Sequence, residues 1–542
     1  MENTKLPPEM YRGNTEYKKQ LLNLSSERIE ELRTQMHYRI YEGSGEAIYR
    51  LGVLDNGTQC GISPKDMEES IANLHLIANN KFTITEIDRI NTSDGNIFAY
   101  FLIREDATKA LWIEISILVA GNVDSGKSTL IGVLTRGIND DGRGLARSSV
   151  AQHPHEIITG RTSSVSYGNY VGFNNKGECL NDLIPSRKLQ PIDVVKRSSK
   201  IATFFDMAGH QKYLRTTIAG FSSSEADYAL IIICIHRGVT NLTIEHIGLC
   251  LCFRIPFMII VTKVDTPEEE QTKQLVRNTK TQIRKTLKKL GVTKVPYFIQ
   301  KDTIMLELAN KLKDDIIVPI LRISNVTGRN IDRLKAFINL LPKRTNISMP
   351  QNVTADKNSP LHFSIKESFL VTSVGVVVCG FIHSGTAKVN DKIQIGPDST
   401  GKYYESSIRS IHIKRIPASE ASHGQWACFA IRNVPRDKII KGMVAIPITE
   451  TPKKIYEFYA DVSIIYGSCI TIREGYEPVL NMGNIMQTAQ VLSTGNVEVL
   501  RAGDHALLHL RFSHRPCYIC VGDVFVFREG KVCGSGKITK LC

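Results

Sequence analysis

The stretch Ile117-Leu118-Val119-Ala120-Gly121-Asn122-Val123-Asp124-Ser125-Gly126-Lys127-Ser128-Thr129 constrains this chain more than any other. A β-branched apolar run leads straight into Gly-x-x-x-x-Gly-Lys-Ser, and Leu130-Ile131-Gly132-Val133-Leu134 follows without a breaker. Strand, loop and helix in that order is the context of a P-loop. Gly121 and Gly126 let the backbone wrap closely around phosphate, so that successive N–H groups and the helix N-terminus face the anion. Lys127 then reaches the outer phosphates, and the Ser128 hydroxyl ligates Mg²⁺. A chance match would have to place both flanking elements by accident. The stretch therefore predicts a nucleoside-triphosphate site.

Three further strand ends extend the pattern. The apolar run Ile201–Phe205 ends in Asp206-Met207-Ala208-Gly209-His210. An acid at the tip of the strand beside a P-loop is where Mg²⁺ gains a contact through water, and Gly209 can offer a backbone N–H to the terminal phosphate. After the strand Tyr228–Ile235, the run Phe257–Val261 ends in Thr262-Lys263-Val264-Asp265. The Asp265 carboxylate can accept from guanine N1–H and the 2-amino group, a donor pair that adenine lacks. The last strand ends in Ser324-Asn325-Val326, where a backbone N–H can reach guanine O6. Alternating strands and helices predict a doubly wound, mostly parallel sheet with all four loops at one edge. Between the P-loop and the strand that starts at Ile201 lies a segment of roughly 75 residues, of a length that is usually functional. It carries His155-Glu156 and Gly160-Arg161-Thr162-Ser163-Ser164.

At 542 residues the chain is too long for one core. The expected organisation is multidomain: a small α/β N-terminal unit (1–110), the α/β P-loop domain (111–345), then two β-barrel domains (355–450 and 453–542). Residues 1–20 are expected to be frayed, followed by a helix from Ser26 to Tyr41, a hairpin around Asp55-Asn56-Gly57, and a helix opened by Ser63-Pro64-Lys65-Asp66. Short alternating runs separated by Gly and Asp turns after Pro360 predict the barrels. No apolar run approaches the roughly 18 residues of a membrane span. The polar Met1-Glu2-Asn3-Thr4-Lys5 reads as no signal peptide, and twelve cysteines lying mostly in strand-like runs read as core hydrophobes in a reducing, cytoplasmic compartment.

The net charge of +14 is uneven. Residues 1–114 carry 13 basic and 18 acidic side chains, so the excess of positive charge lies downstream. A basic body implies a polyanionic partner beyond the nucleotide itself, nucleic acid being the usual one. Candidate contacts are His412, Lys414, Arg415, Arg432, Arg436, Lys438 and Lys441, with Arg511, Arg515 and Lys537 in the last domain. Any one of them also reads as a solvated surface charge.

The four loops, Gly121–Ser128, Asp206-x-x-Gly209-His210, Thr262-Lys263-x-Asp265 and Ser324-Asn325-Val326, resemble those of the elongation-factor-Tu and elongation-factor-1-alpha type of translational GTPases. With Gly43-Ser44-Gly45-Glu46-Ala47-Ile48-Tyr49 upstream and Gly536-Lys537-Ile538-Thr539-Lys540-Leu541 downstream, the chain is similar over nearly its whole length to the GTP-binding protein 1 and GTP-binding protein 2 group. The resemblance implies GTP and GDP as ligands and a Mg²⁺ ion held by Ser128, Thr162 and Asp206. It implies His210 as the residue orienting the attacking water, with Lys127 and Gly209 supporting catalysis. Val123 resembles a wall of a hydrophobic gate, and Asp124 the acid that holds a monovalent cation. It implies a ribosome, tRNA or other RNA as partner, no membrane, and a monomer. Thr262 stands where most such proteins carry Asn, so its bonds to guanine and to the P-loop are expected to be partly lost, at about 0.5–1.5 kcal/mol per net hydrogen bond. Asn325 stands in place of the usual Ala. The alternatives are a GTP-gated RNA-binding adaptor with little turnover, and an ATP-using kinase or a GTPase subunit of sulfate activation, which shares the barrels.

Overall fold

The computed structural model describes residues 6–105, 112–151, 156, 166–185, 189–265, 269–300, 305–344, 359–464, 471–495, 497–529 and 531–542. Thr162 and His155 lie outside them, as do residues 345–358.

The N-terminal unit is a four-stranded sheet backed by two helices. Strands β1 (Thr15–Lys18), β2 (Glu46–Leu51), β3 (Phe82–Asn91) and β4 (Ile97–Glu105) run in the order β1-β2-β4-β3. Helices α1 (Ser26–Glu42) and α2 (Pro64–Ala78) cover one face. Ser25 and Ser63 accept the first-turn N–H groups of Arg28 and Asp66, which is why both helices start where they do. Two expectations fail here. Residues 15–18 are a strand parallel to β2, because Tyr17 and Leu6 find a core to enter. The expected hairpin shrinks to an isolated bridge between Val53 and Gln59, since β2 takes β1 and β4 as its neighbours.

Strand β4 shows why the unit does not stand apart. Ala99, Phe101 and Ile103 meet α1 and α2, while Phe98, Tyr100 and Leu102 join the core of the next domain. A strand buried on both faces reads as a continuous apolar run, as Ile97–Ile103 does.

The P-loop domain is built on β5 (Ile113–Gly121), β6 (Ser166–Phe173), β7 (Lys200–Asp206), β8 (Tyr228–Cys234), β9 (Phe257–Thr262), β10 (Val295–Phe298) and β11 (Ile317–Arg322). Their order is β10-β11-β9-β8-β5-β7-β6, parallel except for β6, which pairs antiparallel with β7 at the edge. The long segment before Ile201 thus contributes a strand of its own. Helices α3 (Lys127–Arg136), α4 (Leu145–Ser148), α5 (Pro191–Arg197), α6 (Leu214–Ser223), α7 (Asn241–Cys252), α8 (Glu269–Lys289), α9 (Met305–Lys313) and α10 (Ile331–Leu340) complete the domain. Side chains of α3, α9 and α10 fill one face of the sheet and those of α6, α7 and α8 the other, the doubly wound arrangement.

Strands His362–Val371, Gly375–Ser384, Lys392–Gly396, Tyr404–Ile413, Trp426–Ile431 and Val444–Pro447 form the first barrel. It closes where Lys392–Gly396 pairs with both Tyr404–Ile413 and Val444–Pro447. The second is a closed barrel running from Glu457–Ile464 to Lys531–Leu541. Among the described residues no helix is long and apolar enough to cross a membrane.

Buried charges hold the parts together. Glu46 accepts from Arg104 and from Lys200 at 2.8 Å, and all three are essentially removed from solvent. Arg104 also donates to Asn339, and Lys200 to the Leu341 carbonyl. Lys414, expected as an RNA contact, instead forms an ion pair with Glu114 at 2.8 Å and donates to Thr203. Its side chain is only 8% exposed, because the first barrel presses it into the start of β5 and β7.

Candidate nucleotide site

The carboxyl ends of β5, β7, β9 and β11 converge on one edge of the sheet, around a cleft of about 310 Å³. Its lining includes Val123, Asp124, Gly126, Lys127, Ser128, Thr129, Gly209, His210, Lys263, Asp265, Asn325 and Val326. Residues from all four loops are therefore brought together by the fold.

The P-loop is a knot around one carbonyl. The Asn122 oxygen accepts from the Ser125 hydroxyl at 2.8 Å and from Lys127 Nζ at 2.9 Å, while Asn122 Oδ1 accepts from Val123 N–H at 2.8 Å. Gly126, at φ 88°, caps the N-terminus of α3 in a conformation that favours glycine. Gly209 is a glycine for a different reason: a Cβ there would collide with Lys127 Nζ and come within 3.0 Å of the Gly121 carbonyl. The Asp206–His210 loop thus approaches the P-loop too closely for any side chain at position 209.

Lys127 is 6% exposed, and burial pushes its pKa down while Asp206 and Asp124 act in the opposite direction. A buried ammonium beside convergent N–H groups is a site prepared for negative charge. Ser128 Oγ donates to Asp206 Oδ2, so two hard oxygen donors lie side by side. That pair fits Mg²⁺, which takes one or two protein oxygens and leaves its other positions to phosphate and water.

Met207, Ala208 and Val264 have buried side chains, leaving only backbone to offer the cleft. The loop after β7 is anchored at both ends, by Met207 N–H to the Val119 carbonyl and by the Thr217 hydroxyl to the Ala208 carbonyl. His210 borders the cleft, and its Nδ1 accepts from Lys212 N–H at 3.0 Å. With Nδ1 so engaged, a neutral ring carries its proton on Nε2.

On the base side, the expected loss of the tie from Thr262 to the P-loop does not occur. Its hydroxyl donates to the Ser125 carbonyl at 2.7 Å, so the tie to the P-loop is kept. Asn325 Nδ2 donates to the Gly126 carbonyl at 3.3 Å, adding a second tie. Asn325 Oδ1 is buried with no hydrogen-bond partner among the described residues. Ser324 Oγ accepts from Val326 and Thr327 N–H, which shapes the loop. Asp265 is exposed at the mouth of the cleft.

Asp124 has a guanidinium beside it: Arg237 Nη2 lies 3.5 Å from its carboxylate, and Nη1 donates to the Val123 carbonyl. Sequence reasoning also missed Asp140, Arg143 and Arg147, which line the cleft. Asp140 accepts from Ala146 N–H and its own N–H donates to the Asn325 carbonyl, which links the loop after α3 to the base side. The polar, glycine-bearing run Asn139–Gly144 was the available signal.

Known proteins match this arrangement. The family model for the elongation factor Tu GTP-binding domain matches residues 114–343, and that for elongation factor Tu domain 2 matches residues 375–446. GTP-binding protein 1 of Xenopus laevis is 36% identical over 96% of this chain and 78% of its own length. GTP-binding protein 2 of Mus musculus is 37% identical over 98% of this chain and 88% of its own. Among solved structures, a bacterial selenocysteine-specific elongation factor EF-Sec superposes with a TM-score of 0.56 at 20% identity, over 79% of this chain and 58% of that one, a likeness of fold. Family membership makes the chain a GTP- and GDP-binding protein and a GTP hydrolase. The chain belongs to the GTP-binding protein 1 and GTP-binding protein 2 family of elongation-factor-Tu-type translational GTPases.

Proposed function

We propose that the chain is a GTP-driven switch whose hydrolytic loop reports to the two barrels, and that RNA, on the ribosome or free, is what the barrels hold. The observation that carries this reading is α6. It begins directly after the Asp206–His210 loop and ends between the barrels, where Ser222 Oγ donates to the Gly483 carbonyl at 3.0 Å and Lys366 Nζ to the Ser223 carbonyl at 3.0 Å. A shift of Gly209 against the terminal phosphate would therefore move an element that both barrels grip.

In this reading Lys127 and the P-loop N–H groups hold the β- and γ-phosphates, and Ser128 and Asp206 hold Mg²⁺. The metal supplies charge neutralisation on the transferred phosphoryl group. Gly209 N–H senses that group, and His210 orients the attacking water. Asp265 selects guanine, while Thr262 and Asn325 keep the base loops bound to the P-loop. Thr162 is the proposed γ-phosphate sensor of the preceding segment. Arg237 already gives Asp124 one positive neighbour, so a monovalent cation there would compete with it. Exposed cations of the first barrel, Arg432, Arg436, Lys438 and Lys441, support an RNA-facing surface. Free cysteines among the described residues suit a cytoplasmic location.

Sedimentation with ribosomes in GTP, GDP and a non-hydrolysable analogue tests the switch. Binding restricted to the triphosphate states is expected. Tight GTP-dependent RNA binding with negligible turnover on ribosomes would instead establish the adaptor reading.

A further inference from the structure

Cys379 and Cys428 lie side by side on neighbouring strands of the first barrel. They are direct partners in the antiparallel pairing of Gly375–Ser384 with Trp426–Ile431, and their sulfurs lie 2.7 Å apart with one S–H donating to the other. Both are half-buried. Directly opposed residues in an antiparallel pair have Cα atoms about 4.5–5.5 Å apart, inside the range of about 4.4–6.8 Å that a disulfide spans.

The pair has chemically active neighbours. Glu367 is the register partner of Cys379 on the other side, and His412 that of Cys428. Carboxylate, two thiols and imidazole thus form one row across four strands. Core residues Val378, Ile411, Ala427 and Phe429 alternate with this row and point the other way, so it lies on the barrel's outer face. Cys517 and Cys520, three residues apart in sequence, are occupied structurally: Gln487 donates to Cys517 Sγ, and burial pushes both thiols up to about 11.

We infer that Cys379 and Cys428 form a reversible dithiol–disulfide oxidation site on the first barrel, with a hydroperoxide as the oxidant. The Cys428 thiolate attacks one peroxide oxygen and the O–O bond breaks. The departing hydroxide takes a proton and leaves as water, and Cys428 is left as a sulfenic acid. The Cys379 sulfur then attacks the Cys428 sulfur, the S–S bond forms, the S–O bond breaks, and a second water leaves with the thiol proton. In sum, two thiols and one hydrogen peroxide give one disulfide and two waters. Cys428 lies beside the His412 imidazole, which can take up its proton, whereas Cys379 lies beside the Glu367 carboxylate, which opposes a second negative charge; this placement assigns Cys428 as the attacking sulfur. A dithiol reductant reverses the reaction by exchange.

The position gives the bond a consequence. Phe381 and Trp426 are register partners two residues along the same strands, and the Trp426 ring lies 5.8 Å from Phe205, the residue before Asp206. Oxidation ties together the two strands that present this ring to β7.

The test treats reduced full-length protein with stoichiometric hydrogen peroxide, alkylates the remaining thiols and maps the peptides by mass. The expected product is a linked pair of peptides containing Cys379 and Cys428, formed before the exposed Cys542 reacts and undone by dithiothreitol. In Cys379→Ser, dimedone should trap a sulfenic acid at Cys428; in Cys428→Ser, Cys379 should stay alkylatable. Equal alkylation of Cys379, Cys428 and Cys542 after peroxide overturns the proposal. So does a linkage that forms as readily in urea-unfolded chain, where the register is absent.

Discussion

The two ends of β7 put buried charge to opposite uses. At its carboxyl end, Asp206 stands beside Ser128 and near a buried, depressed Lys127, in a cleft open to a ligand. At its amino end, Lys200 and Arg104 both pair with Glu46, and Arg104 also donates to Asn339 and Lys200 to the Leu341 carbonyl. One end keeps its charges for a ligand, and the other satisfies them within the chain. A buried charge with all its partners in the protein is a joint, whereas one that shares a cleft with convergent N–H groups is a site.

The largest effect should come from breaking the joint. Glu46→Gln removes the carboxylate that pairs with two buried cations, and losing a partner from a buried pair costs about 3–5 kcal/mol. Urea denaturation should show that loss, and limited proteolysis should show the N-terminal unit released first. The joint also predicts an acid limb. Burial raises the Glu46 pKa, but Lys200 and Arg104 outweigh it and hold the carboxyl below its ordinary value. The group binds fewer protons folded than unfolded, so its stabilisation is present above the unfolded value of about 4.3 and is lost as pH falls through the depressed folded value. Stability curves of wild type and Glu46→Gln should therefore converge toward low pH.

At the ligand end, Lys127→Ala should abolish measurable GTP hydrolysis, a fall of about 10²–10³-fold or more, with little change in the denaturation midpoint of the nucleotide-free protein. An equal loss of stability would mean that Lys127 works as a joint after all. Next in size is His210→Ala, expected to lower single-turnover hydrolysis on ribosomes by about 10²-fold while GTP affinity holds. An unchanged rate removes His210 from the mechanism. The smallest effect belongs to Asn325→Ala, which gives up one tie to the P-loop and should weaken GTP binding severalfold, by about 0.5–1.5 kcal/mol. If Thr262→Asn in the same chain restores the affinity, the two side chains divide one task.

The ligand end was readable because its residues come in short runs, each at a strand's carboxyl tip. Gly121–Ser128 carries its own strand and helix, and the Asp206 and Asp265 loops follow apolar runs that could only be strands. Where reading failed, the partner was distant in sequence. Residues 15–18 look polar and terminal, yet they pair with β2 because Tyr17 and Ile48 enter the core of another domain. Lys414 looks like one more basic surface residue until Glu114 appears beside it. Thr262 looked like a loss because the Ser125 carbonyl that its hydroxyl reaches could not be seen.

By itself, the sequence determined the chemistry of the nucleotide edge, since a P-loop and its companion loops are local arrangements of glycine, charge and hydroxyl at fixed spacing. It also determined the order of α/β and barrel domains, through the change in hydrophobic period. Tertiary structure alone decided which charges serve a ligand and which hold the molecule together. Glu46 and Lys200 are 154 residues apart, and each alone reads as a solvated charge. Only packing removes the water around them, and only then does their pairing become obligatory.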